Sequence, residues 1–177
     1  QDYGPFIEKI DNLLAESQTN CVIAWCSSIK SANNWKKVLG RHQTDKDKYK
    51  FLSKYKIYIT HTELEKDEMG EFDNCKEHCM LICVGRCKEG YDNPRIDVGL
   101  NLDATGSTDE NVFIQKVGRT LRLYDKKIKG IYMESFTTMK EGDKVSDILS
   151  RILSYYNLID DVENKEFDED ALYDNLT

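Results

Sequence analysis

The stretch CVIAWCSS, residues 21–28, decides the fold of this chain, because it joins an apolar run to the start of a helix. An unbroken run of six apolar residues predicts a short, buried strand. Ser27 and Ser28 follow it, and serine is among the residues that cap helices best. Apolar residues then recur at helical spacing over residues 29–39, and Gly40 marks the predicted end of the helix.

The same unit of strand, polar turn and helix recurs on both sides of residues 21–28. Further strands are predicted at 55–60, 80–84, 98–102 and 129–136, and helices at 5–16, 63–77, 109–123 and 145–158. This alternation predicts an α/β fold with a mostly parallel sheet of about five or more strands and helices on both faces. In such a sheet ligands bind beyond the carboxyl ends of the strands, so the residues directly after each strand are the candidate site residues.

The net charge of −7 over 177 residues is concentrated at one end of the chain. Residues 159–177 contain eight acids and one base, whereas residues 1–158 balance 24 acids against 24 bases. The composition therefore predicts one domain over residues 1–158 and an acidic, solvated and mobile tail over residues 159–177. A neutral body is compatible with a polyanionic partner.

No apolar stretch approaches the roughly 20 residues that span a bilayer, so no membrane partner is predicted. Four of the six cysteines recur at every fourth residue, at Cys75, Cys79, Cys83 and Cys87. Zinc sites usually leave a long gap after the first pair of ligands, and a predicted strand interrupts this series. We therefore predict no metal site. Reduced, unpaired cysteines are expected, which are typical of an intracellular protein (nuclear, cytoplasmic or virion-associated, not secreted).

The segment QKVGRTLR, residues 115–122, contains the most informative group of side chains. Arg119 and Arg122 are two of only six arginines, and their spacing places them on one face of a predicted helix, one turn after Gln115. Gly118 removes a side chain beside Arg119. Two guanidinium groups and an amide on one face suit a polyphosphate. Taken alone, the pattern would equally suit a surface helix whose arginines pair with acids.

A second segment, KEGYDNP at residues 88–94, follows directly after a predicted strand. Gly90 allows the backbone to turn or to approach a ligand closely, and Asp92 can accept hydrogen bonds from ribose hydroxyls. Taken alone, this segment is typical of a plain turn.

Together these two segments resemble motifs V and VI of the C-terminal RecA-like lobe of superfamily 2 helicases. That family has Glu-Gly-x-Asp-x-Pro and then Gln-x-x-Gly-Arg-x-x-Arg, which correspond here to residues 89–94 and 115–122. Residues 21–28 resemble motif IV, and residues 59–62 resemble the following strand with its nucleic-acid-contacting loop. The resemblance covers about residues 5–158, and it implies a RecA-like three-layer sandwich.

The resemblance implies that ATP with magnesium lies between two RecA-like lobes, and that the N-terminal lobe holds the magnesium. It assigns catalysis to Arg119, Arg122 and Gln115, and nucleotide binding to Gly90, Asp92 and Gly118. In the family the arginines meet the terminal phosphate and the aspartate meets the ribose. Arginine fingers of this kind contribute roughly 10³–10⁵ to the rate.

The resemblance also implies a nucleic-acid partner, contacted by Ser27, Ser28, Thr62 and Arg86. The glutamate-glycine form of motif V favours DNA over RNA, and the branch of restriction-type or repair-type translocases. Richness in Lys, Asn, Tyr and Ile is typical of an AT-rich genome and would suit a large DNA virus or a protist. One departure affects this surface: the family usually ends the motif V strand with a phosphate-contacting threonine, and residues 83–85 are Cys-Val-Gly instead.

No Gly-Lys pair occurs in the chain, so the phosphate-binding loop of a first lobe is absent. We therefore expect the second motor lobe of a longer ATP-dependent helicase, inactive by itself, and a start at Gln1 rather than Met fits this expectation. One alternative is a degenerate helicase-like lobe that binds nucleic acid or protein without ATP turnover, although the intact arginines argue against it. The other is an unrelated doubly wound domain.

Overall fold

The structure is a computed structural model that describes residues 3–84, 92–103, 127 and 129–134, all within one compact unit. Its sheet contains β1 (Cys21–Cys26), β2 (Lys56–Thr60), β3 (Cys79–Val84), β4 (Val98–Asn101) and β5 (Ile131–Met133). The described helices are α1 (Gly4–Leu14), α2 (Ile29–His42) and α3 (Met69–Asn74), with a 3-10 turn at Leu52–Lys54. The strands lie in the order β2-β3-β1-β4-β5, and every neighbouring pair is parallel. The predicted parallel α/β sheet is therefore confirmed.

The register of the strands aligns their first residues at one side of the sheet, the amino-terminal edge. Cys79 at the start of β3 pairs with Cys21 on β1 and with Lys56 on β2. At the opposite side, the carboxyl-terminal edge, the chain leaves β1 at Ser27 and β2 at His61. The two edges are about 17 Å apart, because β1 has six residues and a strand rises about 3.3 Å per residue.

Alternating residues of the strands form two separate apolar cores, one on each face of the sheet. Even-numbered residues of β1, β3 and β4 pack with α1 and α2, through side chains such as Ile10, Trp35 and Leu39. Odd-numbered residues of β1 and β3 pack with Phe72 of α3 and with Ile96. Helices therefore cover both faces of the sheet, which explains why β1 is apolar at every position.

Helix α2 begins where the sequence predicts but ends later. Ser28 has an extended backbone, and its hydroxyl accepts a backbone N–H from the first turn at 3.1 Å, which caps the helix. The helix continues through Gly40 to His42, because Leu39 is buried and the basic residues of the last turn complement the helix dipole. The prediction that the helix ends at Gly40 is therefore wrong.

The helix predicted at residues 63–77 is wrong over most of its length, since only α3 is helical there. A long helix needs an apolar stripe to pack against the sheet, and Phe72 is the one buried residue in this range. Strand β5 is shorter than the strand predicted at 129–136. The helices predicted at 109–123 and 145–158, the domain boundary at 158 and the tail lie outside the described residues, so they stay predictions.

The cysteines differ in part from the prediction. Cys21, Cys26, Cys75 and Cys79 are free thiols, but Cys83 is disulfide-bonded, so the expectation of unpaired cysteines is wrong at that position. Within the described ranges, no three His, Cys, Asp or Glu side chains are arranged to hold a metal ion. None of the helices in the same ranges has the length and apolar character needed to cross a membrane.

Candidate functional site

The carboxylate of Asp103, just after β4, organises the carboxyl-terminal edge of the sheet. Its Oδ2 accepts hydrogen bonds from the backbone N–H of Ser27 at 2.6 Å and from the Ser27 hydroxyl at 2.8 Å. The Ser31 hydroxyl lies 2.7 Å from each carboxylate oxygen, and Trp35 Nε1 donates to Oδ1 at 3.1 Å. One acid therefore ties the loop after β1 and the first turns of α2 to the end of β4.

These donors favour the ionised form of Asp103. Burial opposes the charged side chain, but the hydrogen bonds from Ser27, Ser31 and Trp35 outweigh burial and lower the pKa of Asp103 below its ordinary value. The negative charge lies beside the N-terminus of α2, where it also interacts favourably with the helix dipole. The edge is therefore held firmly, and it contains an anion of its own.

The two serines predicted to contact nucleic acid have different hydrogen-bonding roles. The Ser27 hydroxyl donates its proton to Asp103, so only its lone pairs remain for another partner. The Ser28 hydroxyl accepts the backbone N–H of Ser31, which leaves its own proton available. Both serines are exposed. Ser28 is therefore the better donor to a phosphate.

His61, just after β2, connects the neighbouring loop to α2. Its Nδ1 accepts the backbone N–H of Glu63 at 3.2 Å. In the neutral ring the proton is therefore on Nε2, which donates to Asn33 Oδ1 at 3.2 Å. Thr62 is exposed beside this contact, and no hydrogen bond to its hydroxyl occurs among the described residues. The structure thus places Thr62 at the same edge as Ser28, two strands away.

The described contacts around Asp92 lie at the opposite edge of the sheet. Asp92 is exposed, and its neighbour Asn93 contacts Cys21 Sγ at 4.0 Å, at the start of β1. The structure does not link Asp92 to the serines or to Thr62. The remaining predicted site residues lie outside the described part of the chain: Gly90, Gln115, Gly118, Arg119, Arg122 and Arg86. Their roles and the role of Asp92 stay predictions.

Their positions after strands mark His61 and Asp103 as candidate site residues, but no sequence pattern identifies the role of Asp103 or the contact between His61 and Asn33. The available signal for Asp103 was its position, because an acid directly after a strand lies where parallel sheets bind ligands. Its partners Ser27 and Trp35 are 76 and 68 residues away in the sequence. Local periodicity therefore cannot reveal them.

Comparison with protein families matches residues 6–124, more than half of the chain, to the helicase conserved C-terminal domain. Comparison with curated proteins finds no significant match. Among solved structures, the chain is similar to S. cerevisiae Dbp5 bound to RNA and ADP BeF3, with a TM-score of 0.57 and 22% identity. That alignment covers 85% of this chain and 36% of the Dbp5 chain.

Two further structures have the same fold. The ATP-dependent Type ISP restriction-modification enzyme LlaBIII bound to DNA aligns with a TM-score of 0.55 and 17% identity, over 88% of this chain and 11% of that chain. Mss116p DEAD-box helicase domain 2 bound to an RNA duplex aligns with a TM-score of 0.50 and 15% identity, over 94% and 75%. These likenesses confirm the RecA-like fold. The match over residues 6–124 shows that the chain belongs to the helicase conserved C-terminal domain family.

Proposed function

We propose that this chain is the second motor lobe of an ATP-dependent helicase or translocase. The observation that carries the proposal is the match of residues 6–124 to the helicase conserved C-terminal domain. The carboxyl-terminal edge supports it: Ser28 presents a hydroxyl group there beside the loop that Asp103 holds in place, and Thr62 presents one beside the His61–Asn33 contact. Such groups contact phosphates and fix the position of a strand without reading its sequence.

In this proposal the chain takes part in ATP hydrolysis only together with a first lobe of the same protein, which supplies the phosphate-binding loop and holds the magnesium. Gln115, Arg119 and Arg122 would face the terminal phosphate. Asp92 would accept hydrogen bonds from the ribose, and its exposed carboxylate fits that role. Guanidinium groups aimed at the developing charge stabilise the transition state.

The proposed partner is nucleic acid, and DNA in particular, because residues 89–94 have the form found in restriction-type and repair-type translocases. The solved neighbours support nucleic acid as a class, since Dbp5 and Mss116p are bound to RNA and LlaBIII is bound to DNA. Action on nucleic acid would place the protein inside the cell or the virion. To distinguish DNA from RNA, ATP turnover is measured with single-stranded DNA and with single-stranded RNA. Stronger stimulation by RNA would overturn the DNA preference.

The proposal is tested by replacing Arg119 and Arg122 in the protein that contains both lobes. Each Arg→Ala change is expected to lower ATP turnover by roughly 10³-fold, as loss of an arginine finger does elsewhere. Nucleotide affinity should change little, because the contact forms mainly in the transition state. Lysine should restore little activity, since a point charge cannot reproduce a planar two-pronged contact.

Two controls accompany this measurement. Lys37→Ala removes an exposed basic side chain of the described surface and should leave turnover unchanged. The isolated chain should hydrolyse no ATP, because it has no Gly-Lys pair and hence no P-loop. The proposed role would be overturned if both arginine variants kept near-normal ATP turnover. It would also be overturned if the isolated chain hydrolysed ATP and still did so after both replacements.

A further inference from the structure

The segment from the last turn of α2 to the first residue of β2 concentrates positive charge in an otherwise neutral body. Residues 41–56 contain six basic and two acidic residues, a net charge of +4, whereas residues 1–158 as a whole are neutral. All six basic side chains are exposed, and together they form what we call the basic patch: Arg41, Lys46, Lys48, Lys50, Lys54 and Lys56.

No described acid neutralises the basic patch through an ion pair. The ion pairs in the described part of the chain are Lys36–Glu68 and Lys66–Glu71, which involve none of its residues. One of the two acids of the segment, Asp45, uses Oδ1 to accept the backbone N–H of Lys48 at 3.1 Å. Clustered like charges destabilise a compact state by self-repulsion, and a bound polyanion would relieve that repulsion.

The basic patch has a rigid base. Buried Asp11 of α1 accepts the backbone N–H groups of Phe51 at 3.0 Å and Leu52 at 2.8 Å. Gln43 Nε2 donates to the carbonyls of Leu52 at 2.8 Å and Tyr55 at 2.6 Å. The segment is therefore fastened to α1 and folded back on itself. A preformed surface loses less conformational entropy on binding than a flexible loop does.

An exposed aromatic ring lies within the basic patch. Phe51 is 38% exposed, and among the described residues no other large apolar side chain is exposed. Lys54 Nζ lies 5.5 Å from the centroid of its ring. Proteins hold single-stranded nucleic acid with this combination, because a base stacks on the ring while basic groups neutralise phosphates. An acidic peptide would use the lysines but would leave the ring without a partner.

The basic patch lies at the far end of the sheet from the proposed motor surface. Lys56 begins β2 at the amino-terminal edge, whereas Thr62 follows the other end of the same strand. Helix α2 runs from Ser28 to the beginning of the patch, and its 14 residues span about 21 Å at about 1.5 Å per residue. A nucleic-acid strand bound to the basic patch would therefore occupy a surface separate from the one formed by Ser28 and Thr62.

We propose that the basic patch with Phe51 is a second nucleic-acid site, which binds single-stranded DNA or RNA through its phosphates and one stacked base. The inference takes nucleic acid as the partner from the proposed function, but it requires no ATP turnover. The site would hold a strand outside the motor track and without regard to base sequence, since neither a lysine–phosphate contact nor a stacked ring reads base edges.

The test measures binding of fluorescein-labelled oligo(dT) and oligo(U), each of about 20 nucleotides, to the full chain by fluorescence anisotropy as salt is varied. Lys48→Ala/Lys50→Ala should weaken binding at least about tenfold at low salt. It should also reduce the magnitude of the slope of log binding constant against log salt concentration by about 1.4, since each phosphate neutralised contributes about 0.7. Phe51→Ala should weaken binding roughly tenfold without changing the slope, because it removes stacking alone.

A matched control removes the same charge elsewhere. Lys37→Ala/Lys129→Ala replaces two exposed lysines outside the basic patch and should bind like the unchanged chain. Equal weakening by both double variants, or no weakening by either patch change, would overturn the site. Binding of a polyglutamate peptide as tightly as of the oligonucleotides would also overturn it, in favour of an acidic protein partner. Circular dichroism checks folding. In the protein that contains both lobes, the patch changes should leave ATP turnover at saturating nucleic acid unaffected, which separates this test from that of the motor proposal.

Discussion

Asp103 connects three residues through one carboxylate, so its replacement measures how much the carboxyl-terminal edge depends on a single charge. Asp103→Asn keeps the shape of the side chain but replaces one acceptor oxygen by a donor, which faces the donors of Ser27, Ser31 and Trp35. We expect the free energy of unfolding to fall by about 1–3 kcal/mol, measured by urea denaturation near neutral pH. Asp47→Asn, at an exposed acid, should change it by less than about 0.5 kcal/mol.

The pH dependence of the same variant tests the electrostatic argument. The pKa of Asp103 is lower in the folded chain than its ordinary value, so the folded state binds fewer protons there than the unfolded state. Its contribution to stability is therefore complete above the ordinary pKa of about 3.9 and is lost as the pH falls through the lower folded value. The stability difference between the chain and Asp103→Asn should shrink as the pH falls below about 4. A difference that grows in acid would contradict the assignment.

At the scale of elements, α2 contains a residue that weakens it. Gly40 lies inside the helix, and a Cβ built at this position would meet no atom within 4 Å. Gly40→Ala should therefore raise the free energy of unfolding by about 0.5–1 kcal/mol, because alanine loses less backbone entropy on folding and meets no obstacle. Urea denaturation measures the change. Gly70→Ala is the comparison, since Gly70 has equally open surroundings but lies in the first turn of the six-residue α3, where the gain should be smaller.

At the scale of the whole molecule, Arg95 joins distant parts of the chain at the amino-terminal edge of the sheet. The Arg95 guanidinium donates to the carbonyl of Thr19 at 3.1 Å and to the carbonyls of Cys75 and Glu77, and so joins the chain before β1 to the chain before β3. A hydrogen bond from the Cys21 thiol lowers the pKa of neighbouring Cys79 to about 6, burial opposes this shift, and the charge of Arg95 adds to it. The Arg95 side chain therefore holds together the segments that precede β1 and β3, and it favours the thiolate form of buried Cys79.

Arg95→Ala should lower the free energy of unfolding by about 2–3 kcal/mol, because it leaves several carbonyls without their charged donor. Arg95→Lys should recover little of this loss, since an ammonium group cannot span three carbonyls in a plane. Thermal and urea unfolding measure the stability, and thiolate absorbance should show a higher pKa for Cys79 in both variants. Lys37→Ala, at an exposed position, provides the control. A loss below about 0.5 kcal/mol for Arg95→Ala would contradict the structural role.

Much of the element order was accessible from the sequence, because strand and helix periodicities are local. The six apolar residues of β1 need burial on both faces, and only a sheet covered by helices on both sides provides it. Prediction failed where packing decides the outcome. The stretch around α3 has helix-forming residues but a single buried side chain, Phe72, so most of it forms turns. Gly40 lies within α2 because burial of neighbouring Leu39 outweighs the low helix propensity of glycine.

By itself, the sequence determined the parallel sheet, the edge at which Ser27, Ser28 and Thr62 lie, and the resemblance carried by residues 89–94 and 115–122. Only the tertiary structure showed that Asp103 holds the Ser27 loop and that Arg95 joins two strand entrances. The physical reason is the parallel topology, in which each strand returns through a crossover, so residues about 70–80 positions apart meet at one edge. Hydrogen bonds between such residues depend on how the strands are ordered, and the strand order β2-β3-β1-β4-β5 cannot be read from local periodicity.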